Sequence, residues 1–111
     1  NINSTTDYYS ETPLHFAAEN SQTEVVELLI DKGADLNAKA KWERTPLHGA
    51  AKTGNADIVK LLTEAGADPN QKDFENKTPL DEAIKAKATE TADLLRKHGG
   101  KTGEELKAAG N

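Results

Sequence analysis

The chain has 111 residues, of which 35% are hydrophobic and 5% aromatic, with a formal net charge of −5 and no cysteine. That length suits one domain, and so few apolar residues do not comfortably fill one large globular core. Disulfides and cysteine-based metal sites are excluded, no apolar run approaches the roughly 18 residues of a membrane span, and an acidic chain without a dense Lys/Arg block is a poor nucleic-acid binder.

The charge is unevenly spread, with −5 on residues 1–39, +1 on residues 40–72 and −1 on residues 73–111. The chain starts without an initiator methionine or a basic, apolar leader, which fits processing or excision from something longer. The lack of cysteine suits the cytoplasm, our expectation for this chain, and is equally compatible with export.

A four-residue motif recurs at equal intervals. Thr12-Pro13-Leu14-His15, Thr45-Pro46-Leu47-His48 and Thr78-Pro79-Leu80-Asp81 lie 33 residues apart. Residues 1–6 parallel what precedes the later copies, Leu36-Asn37 and Pro69-Asn70, and so read as the tail of a preceding or degenerate repeat. Ile2 lies 11 residues before Pro13, whereas Leu36 and Pro69 each lie 10 before their proline, so the first connecting loop holds one extra residue.

The first full unit spans residues 7–39. Thr12 caps a helix whose first position takes Pro13, where a missing N–H costs nothing. Leu14, Phe16, Ala17 and Ala18 form its apolar set, and Val25, Val26, Leu28, Leu29 and Ile30 predict a second helix ended by Gly33. The second unit, residues 40–72, repeats this with Gly54 between its helices, Ile58, Val59, Leu61 and Leu62 on the second, and Gly66 at its end. Ser21 stands where Gly54 does, at a cost on the order of 1 kcal/mol if that site needs positive φ. The third unit, residues 73–103, drifts: Asp81 replaces the histidine, Lys87 the glycine, and Thr91-Ala92 the Val-Val or Ile-Val pair. Polar drift is what a terminal repeat facing water requires. Thr102-x-x-Glu105 predicts a capping box for a last short helix through Ala109, so residues 104–111 read as the C-terminal cap and end of the array.

Thr12-Pro13-Leu14-His15-Phe16-Ala17-Ala18 and Thr45-Pro46-Leu47-His48-Gly49-Ala50-Ala51, the Val-Val-Glu-Leu-Leu and Ile-Val-Lys-Leu-Leu helices, and the Gly-Ala-Asp-Leu-Asn and Gly-Ala-Asp-Pro-Asn closures resemble the ankyrin repeat family over residues 7–103. The ending from His98 to Leu106 is similar to those of small bacterial ankyrin proteins. The resemblance implies an all-α solenoid of stacked helix-turn-helix units joined by β-hairpin loops. It also implies a monomeric protein-interaction module with no chemistry or cofactor of its own, binding neither nucleic acid nor membrane. Two alternatives stand beside it. One is a regulatory or targeting fragment of a longer protein. The other is an engineered array without a natural partner, against which the irregular Ser21, Lys87 and extra loop residue speak.

Candidate chemistry is sparse. His15 and His48, one repeat apart, fall roughly 8–10 Å from each other in a stacked array, too far to share one zinc. His98 sits at a helix end. Ser4, Ser10 and Ser21 lack a Gly-x-Ser-x-Gly setting. Gly99-Gly100-Lys101-Thr102 has Leu95 where a phosphate loop needs its first glycine, and it follows a helix. Asp81 and Glu82 have no partner acid in a pocket that would separate their pKa values.

Four of the five aromatic residues, Tyr8, Tyr9, Trp42 and Phe74, lie just upstream of a Thr-Pro, and only Phe16 falls on a helix. At loop tips such rings either anchor an interface or pack on one another, and the two roles are compatible. The resemblance places partner-facing residues at the loop tips and on the exposed side of each first helix. These are Tyr8, Tyr9, Glu11, Glu19 and Asn20 in the first unit, Lys41, Trp42, Arg44, Lys52 and Thr53 in the second, and Phe74, Glu75, Lys77, Lys85 and Ala86 in the third. A partner with an acidic patch over the second and third units would complement that surface.

Overall fold

A computed structural model describes residues 2–6 and 9–110. Among these residues there are seven α-helices and no strand: α1 (Pro13–Glu19), α2 (Thr23–Asp31), α3 (Pro46–Thr53), α4 (Ala56–Glu64), α5 (Pro79–Lys85), α6 (Thr89–Lys97) and α7 (Gly103–Ala108). The helices pair as α1–α2, α3–α4 and α5–α6; α1, α3 and α5 stack in one layer and α2, α4 and α6 in the other. The stack measures 39 × 26 × 21 Å. Its core is a run of small and branched residues: Leu14, Ala17 and Ala18 on α1, Leu47, Ala50 and Ala51 on α3, Leu80 and Ala83 on α5, and Val26, Leu29, Ile58, Val59, Leu62 and Leu95 on the outer layer. The alanines let successive helices approach closely, so burial is divided among thin interfaces instead of one broad core.

The Thr-Pro-Leu-His motif builds each interface twice over. Thr12 and Thr45 cap α1 and α3, their hydroxyls accepting from the His15 and His48 N–H groups at 3.4 Å. Each ring answers as the other half of a capping box, Nδ1 accepting from the Thr12 or Thr45 N–H at 3.1 Å. With Nδ1 held as an acceptor, Nε2 carries the proton. It donates across to the next unit, from His15 to the Arg44 carbonyl at 3.0 Å and from His48 to the Lys77 carbonyl at 2.9 Å. Both nitrogens of both rings are thus engaged in the scaffold. A second seam runs along the opposite turns. Asn3, Asn37 and Asn70 accept through Oδ1 from the N–H groups of Asp35, Asp68 and Lys101 at 3.0, 2.9 and 2.8 Å.

At Asp81 the polar drift expected of the third unit makes a specific contact. The loop carbonyl in the place of those of Arg44 and Lys77 is that of Lys101, which accepts from the Thr78 hydroxyl at 2.6 Å, while Asp81 Oδ2 meets the N-terminus of α7 and accepts from the Gly103 N–H at 2.8 Å. Oδ2 also accepts from the Thr78 N–H at 2.9 Å, so carboxylate replaces imidazole in the capping box while the cross-unit bond reverses polarity. Gly103 is needed there because a Cβ would overlap the Asn76 carbonyl. The box at Thr102 forms as expected, with Glu105 Oε1 accepting from the Thr102 N–H at 2.8 Å and from Arg96 Nη1 at 2.7 Å. These bonds, the Thr102 N–H foremost, hold the Glu105 carboxyl below its ordinary pKa.

Three expectations are corrected. The connecting loops are single tight turns, not β-hairpins with paired strands. Two backbone bonds close each, Thr6 N–H to Glu11 O (3.0 Å) with Ser10 to Thr6 (3.2 Å), Ala40 to Arg44 (2.7 Å) with Glu43 to Ala40 (3.0 Å), and Asp73 to Lys77 (2.9 Å) with Asn76 to Asp73 (3.0 Å), the first enclosing one residue more. Other loop donors turn sideways, Lys41 N–H to Tyr9 O (2.7 Å) and Phe74 N–H to Trp42 O (2.9 Å), so loops bond to their neighbours rather than lengthening into ladders. Second, Phe16, Val25 and Leu28 belong to the helical apolar pattern but are exposed, because no described element covers that side of α1 and α2. Third, Thr91 does not face water: it is 1% exposed and its hydroxyl has no hydrogen-bond partner. The site between each helix pair does take positive φ, 57° at Ser21, 72° at Gly54 and 57° at Lys87, so the two non-glycine units carry the backbone cost that Gly54 avoids.

Thr91→Val should stabilise the chain by about 1 kcal/mol, since an isosteric methyl removes an unpaired buried hydroxyl; urea unfolding measures it, and a loss of stability would mean the hydroxyl is satisfied in solution. Asp81→His should cost about 1–3 kcal/mol by setting a ring N–H against the Gly103 N–H, and unchanged urea stability would refute the importance of that bond. Burial lowers the pKa of His15 and His48 from the ordinary 6.5. The unfolded chain therefore binds more protons as pH falls below that value, and stability is lost progressively from there downward. The melting temperature should fall between about pH 7.5 and about pH 5.5, with a flatter profile in a His15→Gln/His48→Gln variant; a flat wild-type profile would show the rings are not held neutral.

Candidate functional site

Stacking brings the loop tips and the inner helix layer together around one open groove. Its upper part is lined by Tyr9, Glu11, Glu19, Lys41, Trp42, Arg44, Gly49 and Lys52, and its lower part by Trp42, Arg44, Lys52, Asp73, Phe74, Glu75, Glu82, Lys85 and Ala86. Trp42, Arg44 and Lys52 belong to both, so the groove is continuous across the units. Gly49 lets the Glu19 side chain pack close, since a Cβ there would lie 3.4 Å from that of Glu19.

The aromatic residues form a shelf along one wall. The Trp42 and Phe74 rings lie with centroids 4.8 Å apart at a 38° tilt. The Lys41 ammonium sits 5.3 Å from the Tyr9 ring centroid and 4.9 Å from that of Trp42, a cation–π bridge between adjacent loops. Packing on one another does not hide these rings, because Tyr9 is 53%, Trp42 52% and Phe74 53% exposed. Trp42 also holds φ 67° and Glu43 φ 60°. A bulky residue in the left-handed region is uncommon and costs about 1 kcal/mol or more. The closing bond to Arg44 and the bond from Phe74 to the Trp42 carbonyl hold it there.

Arg44 lies lower, in the floor, and its charge is already matched. Its Nη1 is 2.9 Å from Glu82 Oε2 and 3.7 Å from Asp73 Oδ2. Asp73 Oδ1 in turn accepts from the Glu75 and Lys77 N–H groups at 2.8 and 3.0 Å, shaping the third loop. The pair therefore ties the second loop to the third unit. The exposed cations of the groove wall are Lys52 and Lys85, one repeat apart, opposite Glu11 and Glu19 at the upper end.

Not every expected residue joins the groove. Asn20 caps the end of α1, its amide donating to the Phe16 carbonyl at 2.8 Å, and the Thr53 hydroxyl donates to the Ala50 carbonyl at 3.0 Å. Lys77 gives its carbonyl to His48 and its side chain to a separate cleft with Lys72, Asp81, Gly103, Glu104 and Lys107. Tyr8 lies outside the described residues. The sequence reading missed Asp73, Glu82 and Gly49. Two of them carry a signal in the repeat: Phe16, Gly49 and Glu82 share one register, where the second unit has no side chain and the third supplies a carboxylate that Arg44 reaches.

Chemically the arrangement offers an open trough with an aromatic shelf and mixed charge. It brings together no cluster of three metal-ligating side chains among the described residues, and its bordering histidine, His15, has both ring nitrogens occupied. No described helix is long and apolar enough to cross a membrane.

Comparison with known proteins matches this architecture. Residues 9–41 match the ankyrin repeat, and residues 29–83 match ankyrin repeats in many copies. Ankyrin repeat and SOCS box protein 5 of Oryctolagus cuniculus is 64% identical over 31 residues, 28% of this chain and 9% of that protein. Over the same length the proteins of that name from Homo sapiens and Mus musculus are 61% and 58% identical. The similarity thus spans about a single repeat and 9% of the length of these curated relatives. Since consecutive family matches run through residues 9–83 and the helix pairs stack at the 33-residue period of the Thr-Pro motif, the chain belongs to the ankyrin repeat family.

Proposed function

We propose that this chain is a protein-interaction module that binds a protein partner through its loop tips and the inner helix face. Ankyrin repeats generally serve that purpose and form a non-catalytic class of scaffold, and on this reading the chain performs no reaction of its own. One observation carries the assignment of the site. Trp42 is held in a left-handed conformation at a loop tip with its ring stacked on Phe74 and half exposed. Strain kept at an exposed aromatic residue, on loops braced by their neighbours, is what a preorganised anchor requires.

The partner's chemistry follows from the charges left over. With Arg44 matched by Asp73 and Glu82, the cations available to a partner are those of Lys52 and Lys85, beside the lysine over the Tyr9 and Trp42 rings. An acidic segment with an apolar anchor, laid over the second and third units, is complementary. On this proposal the chain acts as a monomer in the cytoplasm and binds neither nucleic acid nor membrane. Its C-terminal ending favours a bacterial source, although the relatives above are mammalian. A second reading, a targeting element within a longer protein, draws on those relatives, in which the matched stretch is 9% of the length.

Affinity capture from the native lysate with wild type, Trp42→Ala and Lys52→Glu/Lys85→Glu, followed by calorimetry on the captured protein, tests the proposal. Trp42→Ala should weaken binding by about 2 kcal/mol or more with little change in melting temperature. The charge reversals should weaken it in a salt-dependent way. Unchanged affinity alongside a large drop in melting temperature would make Trp42 a structural residue and sink the assignment.

A further inference from the structure

Among the described residues, the upstream side of the first helix pair is bordered only by residues 4–6 beside Phe16, where the corresponding side of each later pair is covered. Phe16 and Leu28 are each 54% exposed and Val25 42%. One repeat later, Gly49 and Ile58 are buried and Leu61 is half buried. The first pair therefore presents an interface surface of the same register as those inside the stack, with no described helix lying on it. Large apolar patches of this kind mark association sites.

Charge narrows what suits it. Residues 13–31 carry Glu19, Glu24, Glu27 and Asp31 and no lysine or arginine, whereas residues 46–64 balance Asp57 and Glu64 with Lys52 and Lys60. On α2 the exposed acids Glu24, Glu27 and Asp31 follow helical spacing directly beside the Val25 and Leu28 strip. The surface is apolar in the middle and acidic along one edge, with the exposed Lys32 as its one cation at the end of α2.

We propose that this face docks a basic amphipathic helix of a protein partner. The helix lays its apolar side on Phe16, Val25 and Leu28 and sets lysine or arginine along Glu24, Glu27 and Asp31. The occupant continues the helix-on-helix packing already used between units, and its positive flank meets the one unbalanced acidic helix pair. A second copy of this chain applied through the same face would bring the acids against one another. The face is separate from the groove at the loop tips and stands whether or not the groove binds a partner.

The test uses two synthetic helical peptides of about 18 residues, one with a leucine face flanked by lysines and a twin with glutamate at each flanking position. Fluorescence anisotropy should show the lysine peptide binding wild type at least about tenfold more tightly than its twin. Phe16→Glu/Leu28→Glu should abolish that binding, and Trp42→Ala should leave it unchanged. The surface charge swap Glu24→Lys/Glu27→Lys, which spares every core contact, should transfer the preference to the glutamate twin even if the apolar variant folds poorly. Equal binding of the twins would assign the face to charge-blind stacking, as by another repeat, and overturn the proposal. So would no binding of the lysine peptide, a charge swap without effect, or sedimentation showing a wild-type dimer that Phe16→Glu dissolves.

Discussion

Everything in this stack depends on a neutral imidazole with an acceptor on one edge and a donor on the other. Nδ1 closes the cap of its own helix, and Nε2–H reaches a carbonyl of the following loop. A rigid ring with opposed functions links the start of one helix to the next unit at a set spacing, which a flexible amide or a hydroxyl does less well. Burial keeps the ring neutral, and neutrality keeps Nδ1 an acceptor, so packing and hydrogen bonding each require the other. In the third unit the ring gives way to a carboxylate. Asp81 keeps the capping role but presents only acceptors, which suits the N–H groups at the start of α7 and would repel another loop carbonyl.

The groove is a consequence of that seam. Spacing the helices evenly spaces the loops evenly, and neighbouring loops then bond directly, Lys41 to Tyr9 and Phe74 to Trp42. Loops so braced can hold Trp42 and Glu43 in left-handed conformations that an isolated loop would relax. They also bring the rings of adjacent units into contact, making a stiff shelf with exposed faces. The Arg44 link to Asp73 and Glu82 uses a charge that would otherwise face solvent, and so changes the electrostatic character of the trough from basic to mixed.

Most of the scaffold could be read from residue order. Caps, prolines and apolar spacing are local signals, and α1, α3, α5 and α7 begin where Thr12, Thr45, Thr78 and Thr102 lead one to expect. The site was legible only in part. Tyr9, Lys41, Trp42, Phe74, Lys52 and Lys85 meet in the groove, because position at a loop tip or on a helix face follows from the repeat. Asn20 and Thr53 turn back onto the Phe16 and Ala50 carbonyls of their own helices, a local bond that competes with facing outward, and Arg44 is matched by Asp73 and Glu82, whose distance in sequence leaves no periodic trace. The loops depart from the expected hairpins because the donors at their tips, Lys41 and Phe74, are claimed by carbonyls of the preceding loop and not by a paired strand of their own.

The sequence by itself determined the period, the starts of the capped helices, the turn between paired helices where Gly54 marks positive φ, and the absence of any cysteine chemistry, since each rests on residue identity and interactions within a few residues. Only the tertiary structure decided which members of one apolar pattern are buried. Val25 and Ile58 occupy the same place in their units, yet one is 42% exposed and the other fully enclosed. Helical periodicity records which way a side chain points but not whether anything lies there to meet it, and in a stack that depends on the neighbouring unit.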